Sequence, residues 1–281
     1  MLTVAQILHR AAERLAAAGI DTARLDARLL LGEVLSLEPR AVFSRPQWEP
    51  SAAERERFDA LLQRRLAREP MSHLLGRRGF WTLELKVTAD TLDPRPDTET
   101  VIEAVLDGLP ERERPRRILD LGTGTGCILL ALLAELGGAT GLGIDKSPAA
   151  LAVARANADS LGLAERAAFH LGDWGAGLEE RFQVIVSNPP YIPDGDIDGL
   201  EPEVALFEPR LALAGGPDGL DCYRALAPQI ARLLAPGGVA VLEVGMGQAG
   251  AVAGLLAAAG LTLGGVRRDL GGVERCVVAS L

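Results

Sequence analysis

The sequence has few of the residues that build disulfide frameworks or structural zinc sites. Its three cysteines are scattered along 281 residues, and none belongs to a CxxC pair. That pattern favours a reducing compartment. The first ten residues carry charge and lack the apolar run of a signal peptide. Seven glycines interrupt the longest uncharged stretch, residues 244–266, so we expect no membrane span. From the cysteine pattern and the charged N-terminus, we expect a cytoplasmic protein that holds no metal.

A basic footprint is also lacking. The net charge is −9 and the isoelectric point is near 5.0, which disfavours a general nucleic-acid-binding protein. The charge is unevenly distributed, because residues 1–80 contain thirteen arginines and ten acidic residues, whereas the remainder has a net charge of −12. Such asymmetry can mark a module that contacts a partner, and a solvated helical surface would explain it equally well.

The periodicity of apolar residues changes along the chain. Helical periodicity over residues 3–18, 21–37 and 51–68 predicts a small helical domain spanning residues 1–75. Residues 76–114 are expected to form a β-hairpin and a proline-rich connecting segment. From residue 115 to 281 strands and helices alternate, and this predicts an α/β domain with a doubly wound, mostly parallel, seven-stranded sheet.

Two details of the predicted sheet domain concern its C-terminal half. The last two strands, near 262–268 and 274–280, have no crossover helix between them, so we expect an antiparallel hairpin. A helix is expected over about 219–234, and Pro228 should kink or interrupt it.

A glycine-rich loop follows the first predicted strand of this sheet. It consists of Gly122, Thr123, Gly124, Thr125 and Gly126. The dinucleotide fingerprint GxGxxG would need its third glycine at position 127, which is a cysteine, and this lowers the odds of a nicotinamide cofactor. No Walker lysine pattern is present.

Acidic residues follow the next two predicted strands. Asp145 ends the second strand, where a carboxylate can accept hydrogen bonds from ribose hydroxyls. Asp173 and Trp174 follow the third strand, where the acid could bind an adenine amine and the indole could stack on the ring. With the glycine loop, these residues predict a binding site for S-adenosylmethionine.

The sequence Asn188-Pro189-Pro190-Tyr191 follows the fourth predicted strand, residues 182–187. The two prolines fix their own φ angles and stiffen the turn. The Asn188 side-chain carbonyl and the Pro189 carbonyl can then accept both hydrogens of a planar NH₂ group, and Tyr191 offers a flat face. We therefore predict Asn188, Pro189 and Tyr191 as catalytic residues acting on an amide or an exocyclic amine.

Several motifs together identify a family. They are DLGTGTG, the ID that ends the second strand, GDW, VSNPPYI and the upstream TLDPRPDTE. The set resembles the bacterial release-factor glutamine methyltransferase family (PrmC, also called HemK), and the resemblance covers nearly the whole chain. It implies methyl transfer from S-adenosylmethionine, with S-adenosylhomocysteine as product, to the glutamine of the GGQ motif in peptide chain release factors.

The resemblance also assigns roles by position. The Gly122–Gly126 loop would line the methionine part of the cofactor, and the motif beginning at Asn188 would hold the glutamine. Arg95 and Glu99 would lie beside the substrate. Asp93 departs from the family, which has an aliphatic residue there, and this puts the local packing in question.

Other functions remain open at this point. A glutamine methyltransferase acting on a large-subunit ribosomal protein would share nearly all these features. An adenine-N6 DNA methyltransferase shares NPPY but needs a phosphate-binding surface, which the charge of −12 opposes. A non-catalytic cofactor-binding protein would have no need of an intact NPPY.

Overall fold

The computed structural model describes residues 2–109 and 111–281. The chain divides into two compact units. The first unit comprises the residues up to Gly76 together with a later stretch, Glu201–Phe207, and the second comprises Arg77–Leu200 and Glu208–Leu281. The helices of the first unit are α1 (Val4–Ala17), α2 (Ala23–Leu35), α3 (Pro39–Phe43), α4 (Ala52–Leu66), α5 (Met71–Leu75) and, from the later stretch, α9 (Pro202–Ala205).

Two capping boxes begin the main helices of the first unit. Thr3 accepts from the amide of Gln6 and receives the Gln6 side chain in return, and Ser51 and Glu54 do the same for α4. These reciprocal bonds satisfy amides that a helix start leaves free. Apolar side chains of α1, α2 and α4 form the core of this unit.

A buried ion pair links the later stretch to the helices of the first unit. The Arg65 guanidinium donates to Asp26 at 2.8 Å and to Glu203 at 2.9 Å, and the side chains of Arg65 and Asp26 are both buried. The charge of Arg65 is thus compensated inside the unit, as a buried ion requires.

The second unit contains all the strands among the described residues. A small hairpin, β1 (Arg77–Phe80) and β2 (Leu83–Lys86), precedes the main sheet. The main sheet consists of β3 (Arg116–Leu121), β4 (Ala139–Asp145), β5 (Ala167–Leu171), β6 (Phe182–Ser187), β7 (Leu234–Glu243), β8 (Thr262–Arg268) and β9 (Glu274–Ser280). Its helices are α6 (Glu99–Asp107), α7 (Cys127–Glu135), α8 (Pro148–Ser160), α10 (Asp221–Leu233) and α11 (Ala249–Ala258).

The main sheet confirms the predicted doubly wound α/β fold. Its strand order is β5-β4-β3-β6-β7-β9-β8, in which β3 to β7 are parallel and β9 pairs antiparallel with both β7 and β8. Helices α6, α7 and α8 pack on one face, and α10 and α11 pack on the other. The chain reverses its direction of growth at β3, between β4 and β6, and this is where such sheets bind ligands.

The antiparallel hairpin at the C-terminus is confirmed, whereas the expected break at Pro228 is not. Helix α10 runs from Asp221 to Leu233 with Pro228 inside it. Pro228 lies on the exposed side of α10, where water can satisfy the carbonyl that loses its partner. Among residues 2–109 and 111–281, no helix is long and apolar enough to span a bilayer.

Candidate active site

A cleft of about 280 Å³ lies in the second unit, at the carboxyl ends of the strands around the topological switch point. The structure brings together most of the residues predicted from the sequence. Those lining the cleft are Gly122, Thr123, Gly124, Thr125, Asp145, Asp173, Trp174, Asn188, Pro190 and Arg95. Four other predicted residues, Gly126, Pro189, Tyr191 and Glu99, are not among the lining residues.

The glycine loop turns the chain from β3 into α7. Gly122, Gly124 and Gly126 have φ angles of +78°, +55° and +80°, a conformation that strains any other residue. The amides of Gly122 and Thr123 both donate to the Ile144 carbonyl, at 2.9 and 3.0 Å. A Cβ on Gly122 would come within 3.2 Å of the Trp174 ring, so this glycine also permits close packing.

Asp120, near the end of β3, is hydrogen-bonded to the glycine loop. It is 1% exposed, and its Oδ2 accepts a hydrogen bond from the Thr123 hydroxyl at 2.7 Å. Burial raises its pKa to about 7, a shift that the Thr123 bond opposes and the nearby charge of Asp145 reinforces. Its second oxygen, Oδ1, is buried with no hydrogen-bond partner among the described residues.

Asp145 is held by two backbone amides at the end of β4. Its Oδ2 accepts from the amide of Gly124 at 2.8 Å, and its Oδ1 accepts from the amide of Ser147 at 2.9 Å. Ser147 in turn caps α8 by accepting from the amide of Ala150 at 3.1 Å. The carboxylate is therefore fixed in orientation, and each oxygen keeps a further lone pair for a ligand.

Asp173 and Trp174 form the wall beyond Asp145. The Asp173 carboxylate lies 3.4 Å from the ammonium of Lys146, and both side chains are more than half exposed, so this pair contributes little to stability. Trp174 has a φ of +54°, which is uncommon for a bulky residue, and its ring lies against the glycine loop. A strained backbone at a cleft wall is consistent with a functional constraint on the ring position.

The Asn188 side chain is anchored at one end. Its Nδ2 donates to the Thr98 hydroxyl at 3.1 Å, so its carbonyl oxygen points away from Thr98. The preceding residue, Ser187, is fully buried and donates to the Leu121 carbonyl at 2.6 Å, which ties the end of β6 to the end of β3. These two hydrogen bonds fix Asn188 and the end of β6 in position.

The Tyr191 hydroxyl faces a buried carboxyl group. It donates to Oε1 of Glu243 at 3.3 Å, and burial raises the pKa of Tyr191. Glu243 ends β7 and is 1% exposed; burial raises its pKa to about 7, while the Thr98 side chain, Arg275 and Tyr191 oppose the shift. Neither Glu243 nor Thr98 is among the residues predicted from the sequence. Glu243 ends its strand as Asp145 ends β4, and this position is the signal by which it could be identified.

The two residues of the proline-rich segment predicted to contact substrate have different surroundings. The guanidinium of Arg95 lines the cleft and pairs with Glu208, whose pKa burial raises to about 7 against the effect of Arg95. Glu99 instead accepts from the Trp81 amide at 2.7 Å, at the turn of the β1–β2 hairpin. Asp93 is buried, 3.9 Å from the Arg78 guanidinium.

Comparison with known proteins decides the family. Residues 6–76 match the PrmC N-terminal domain, and residues 113–248 match a methyltransferase domain. The release factor glutamine methyltransferase of Rhodospirillum rubrum is 54% identical over 99% of this chain and 85% of its own length. The chain belongs to the release factor glutamine methyltransferase family. Its relative of the same name from Caulobacter vibrioides is 48% identical, over 99% of this chain and 96% of the relative.

Family membership confirms the resemblance predicted from the motifs, and the chain is a methyltransferase. Solved structures extend the likeness of fold beyond the release factor glutamine methyltransferase family. A ribosomal protein L11 methylase from Lactobacillus delbrueckii subsp. bulgaricus aligns with a TM-score of 0.52 at 18% identity, covering 70% of this chain and 83% of its own. The hMettl16 catalytic domain, solved with an RNA hairpin, aligns with a TM-score of 0.54 at 15% identity, covering 84% and 83%. At these identities the likeness concerns the fold alone.

Proposed function

We propose that this protein transfers a methyl group from S-adenosylmethionine to the side-chain amide nitrogen (N5) of the GGQ glutamine in peptide chain release factors. The observation that carries the proposal is the anchored amide of Asn188 at the cleft, whose NH₂ is held by Thr98. The name that the protein's relatives share, release factor glutamine methyltransferase, supplies the substrate class. Such a protein would act in the cytoplasm, on protein and not on nucleic acid.

The cleft suits the methyl donor in three respects. Apart from its two chain neighbours, no described residue lies within 4 Å of the position that a Cβ on Gly124 would take, so the backbone of the loop is open to a ligand there. The fixed carboxylate of Asp145 offers two oxygens to the two ribose hydroxyls. Trp174 lines the cleft and offers a flat face on which an adenine ring can stack. S-adenosylmethionine would supply an electrophilic methyl group on a sulfonium.

Asn188 and Pro189 would orient the acceptor nitrogen. A primary amide presents two N–H donors, and the Asn188 side-chain carbonyl and the Pro189 backbone carbonyl are two acceptors on a stiff turn. Holding the amide in this way directs its nitrogen toward the methyl group and favours loss of planarity. Positioning of reactants can lower a barrier by about 7–11 kcal/mol in favourable cases. The nitrogen can lose its proton after transfer, so a strong base is not required.

The first unit is proposed to recognise the release factor. Residues 1–75 contain eleven arginines and ten acidic residues, a net charge of +1, whereas residues 76–281 have a net charge of −10, so these helices offer the less acidic surface to a protein partner. The connecting segment over residues 76–114 and the methyltransferase domain over 115–281 would then bind the glutamine and the methyl donor.

The test compares acceptors and one variant. The protein is incubated with radiolabelled S-adenosylmethionine and, separately, with a release factor, the same factor with its GGQ glutamine changed to alanine, total large-subunit ribosomal protein, and DNA. We expect label in the intact release factor alone. Asn188→Ala should reduce that transfer to background while binding of S-adenosylmethionine stays within about threefold of the original. Label in ribosomal protein or DNA, or normal turnover by the variant, would contradict the proposal.

A further inference from the structure

Two buried side chains, Thr98 and Glu243, contact the motif that begins at Asn188. Thr98, just before α6, is 1% exposed, and Glu243, at the end of β7, is also 1% exposed. Thr98 lines the cleft. A hydroxyl and a carboxyl group that are buried side by side need hydrogen-bond partners, and the partners they have connect them to the catalytic motif.

Thr98 and Glu243 each accept a hydrogen bond from the motif Asn188–Tyr191. The Thr98 hydroxyl oxygen accepts from Nδ2 of Asn188 at 3.1 Å, and this leaves its single proton for another acceptor. The Thr98 side chain faces Glu243 closely enough to lower the pKa of that carboxyl. Glu243 also accepts from the Tyr191 hydroxyl through Oε1 at 3.3 Å, while its Oε2 has no partner among the described residues.

An asparagine amide is almost symmetric in shape, so its orientation depends on what surrounds it. Rotation by 180° about its last torsion would turn the NH₂ group toward the substrate and the carbonyl toward Thr98. In that orientation Asn188 would present donors to the donors of a substrate amide. The buried hydroxyl oxygen of Thr98 is an acceptor at this position, and it selects the productive orientation.

We propose that Thr98 is a positioning residue that holds the Asn188 side chain with its carbonyl toward the substrate amide. This inference rests on the proposed function. Thr98 acts through its hydroxyl oxygen, which accepts from Nδ2 of Asn188. At the far end of the same motif, Glu243 accepts from the Tyr191 hydroxyl and so holds the turn from the other side.

Thr98→Val and Thr98→Ser form a matched pair for the test. Valine keeps the shape of threonine and removes the hydroxyl, whereas serine keeps the hydroxyl. Loss of a bond that leaves a buried donor unsatisfied corresponds to about a 5- to 150-fold effect. We therefore expect Thr98→Val to lower kcat for release-factor methylation by a factor in that range and Thr98→Ser to restore kcat to within about threefold. KM for the release factor should change less than kcat.

Control measurements separate positioning from stability. Melting temperature and the Kd for S-adenosylmethionine are measured for each variant. If the valine variant does not fold, Thr98→Ala compared with Thr98→Ser asks the same question without added bulk. Equal kcat for the variants with and without the hydroxyl, in an enzyme whose original form methylates the release factor, would overturn the positioning role. Absence of methylation by the original enzyme would instead overturn the proposed function.

Discussion

Removing the Asp145 carboxylate should weaken binding of S-adenosylmethionine by a predictable amount. Both oxygens are already oriented by backbone amides, at 2.8 Å from Gly124 and 2.9 Å from Ser147, so a ligand need not order them. Each oxygen can accept one ribose hydroxyl with a remaining lone pair. Hydrogen bonds to charged groups contribute about 1.5–3 kcal/mol each, so two correspond to about 3–6 kcal/mol. Asp145→Ala should then raise Kd by a factor of about 10² to 10⁴.

Isothermal titration calorimetry with S-adenosylmethionine measures this directly. Asp159→Ala, on the exposed end of α8, changes net charge by the same amount and should leave Kd unaltered. Asp145→Asn keeps the shape but faces one of the two amides with its own NH₂ group, so it should lose most of the affinity as well. A Kd for Asp145→Ala within threefold of the original, in a protein with an unchanged melting temperature, would refute the assignment of Asp145 to the ribose.

Two further predictions concern stability. Burial raises the pKa of Asp120 from 3.8 to about 7, so its carboxyl group binds a proton more tightly in the folded protein than in the unfolded chain. The resulting stabilisation is fully present below about pH 4 and is lost as the pH rises through 7. Asp120→Asn should therefore gain stability relative to the original protein between about pH 5 and pH 8 in urea titrations, and a stability difference that stays constant over this range would contradict the raised pKa. Arg65→Met leaves buried Asp26 unpaired and removes one of the arginine partners of Glu203, which also pairs with Arg68, so the first unit should lose about 3–5 kcal/mol. If this unit recognises the release factor, KM for that substrate should rise near the melting point of the variant, while Kd for S-adenosylmethionine stays constant. An unchanged free energy of unfolding would show that the first unit does not depend on the Arg65–Asp26 pair.

The fold could be predicted from the sequence because its signals are local. Each of the parallel strands β3 to β7 is a largely apolar run that ends at or just before glycine, an acid or asparagine, and the residues at those ends meet at one edge of the sheet. This rule predicts Gly122, Asp145 and Asn188 as site residues, and the structure brings them to one cleft. The stretch 201–207 carries no such signal, because its place in the first unit depends on the distant pairing of Glu203 with Arg65.

The supporting residues of the site were harder to predict for a related reason. Thr98 lies in a segment whose sequence indicates the start of a helix, and Glu243 lies in one that indicates a buried strand. Their hydrogen bonds to Asn188 and Tyr191 appear only when β6, β7 and the start of α6 are side by side. Sequence patterns identify residues that contact a ligand at a strand end, but they do not show which buried partner fixes the orientation of each side chain.

Asp93 shows how a departure from the family pattern can be accommodated. Its carboxylate and that of Glu208 are both buried, and the charge of Asp93 helps to raise the pKa of Glu208. Two guanidinium groups offset them, since Arg95 pairs with Glu208 and Arg78 lies 3.9 Å from Asp93. With an aliphatic residue at position 93, only one of the two carboxylates, that of Glu208, would remain beside Arg78 and Arg95. The carboxylate of Asp93 therefore balances the second positive charge. Arg95 is consequently held by Glu208 at the edge of the cleft, with its remaining N–H groups available to a substrate backbone.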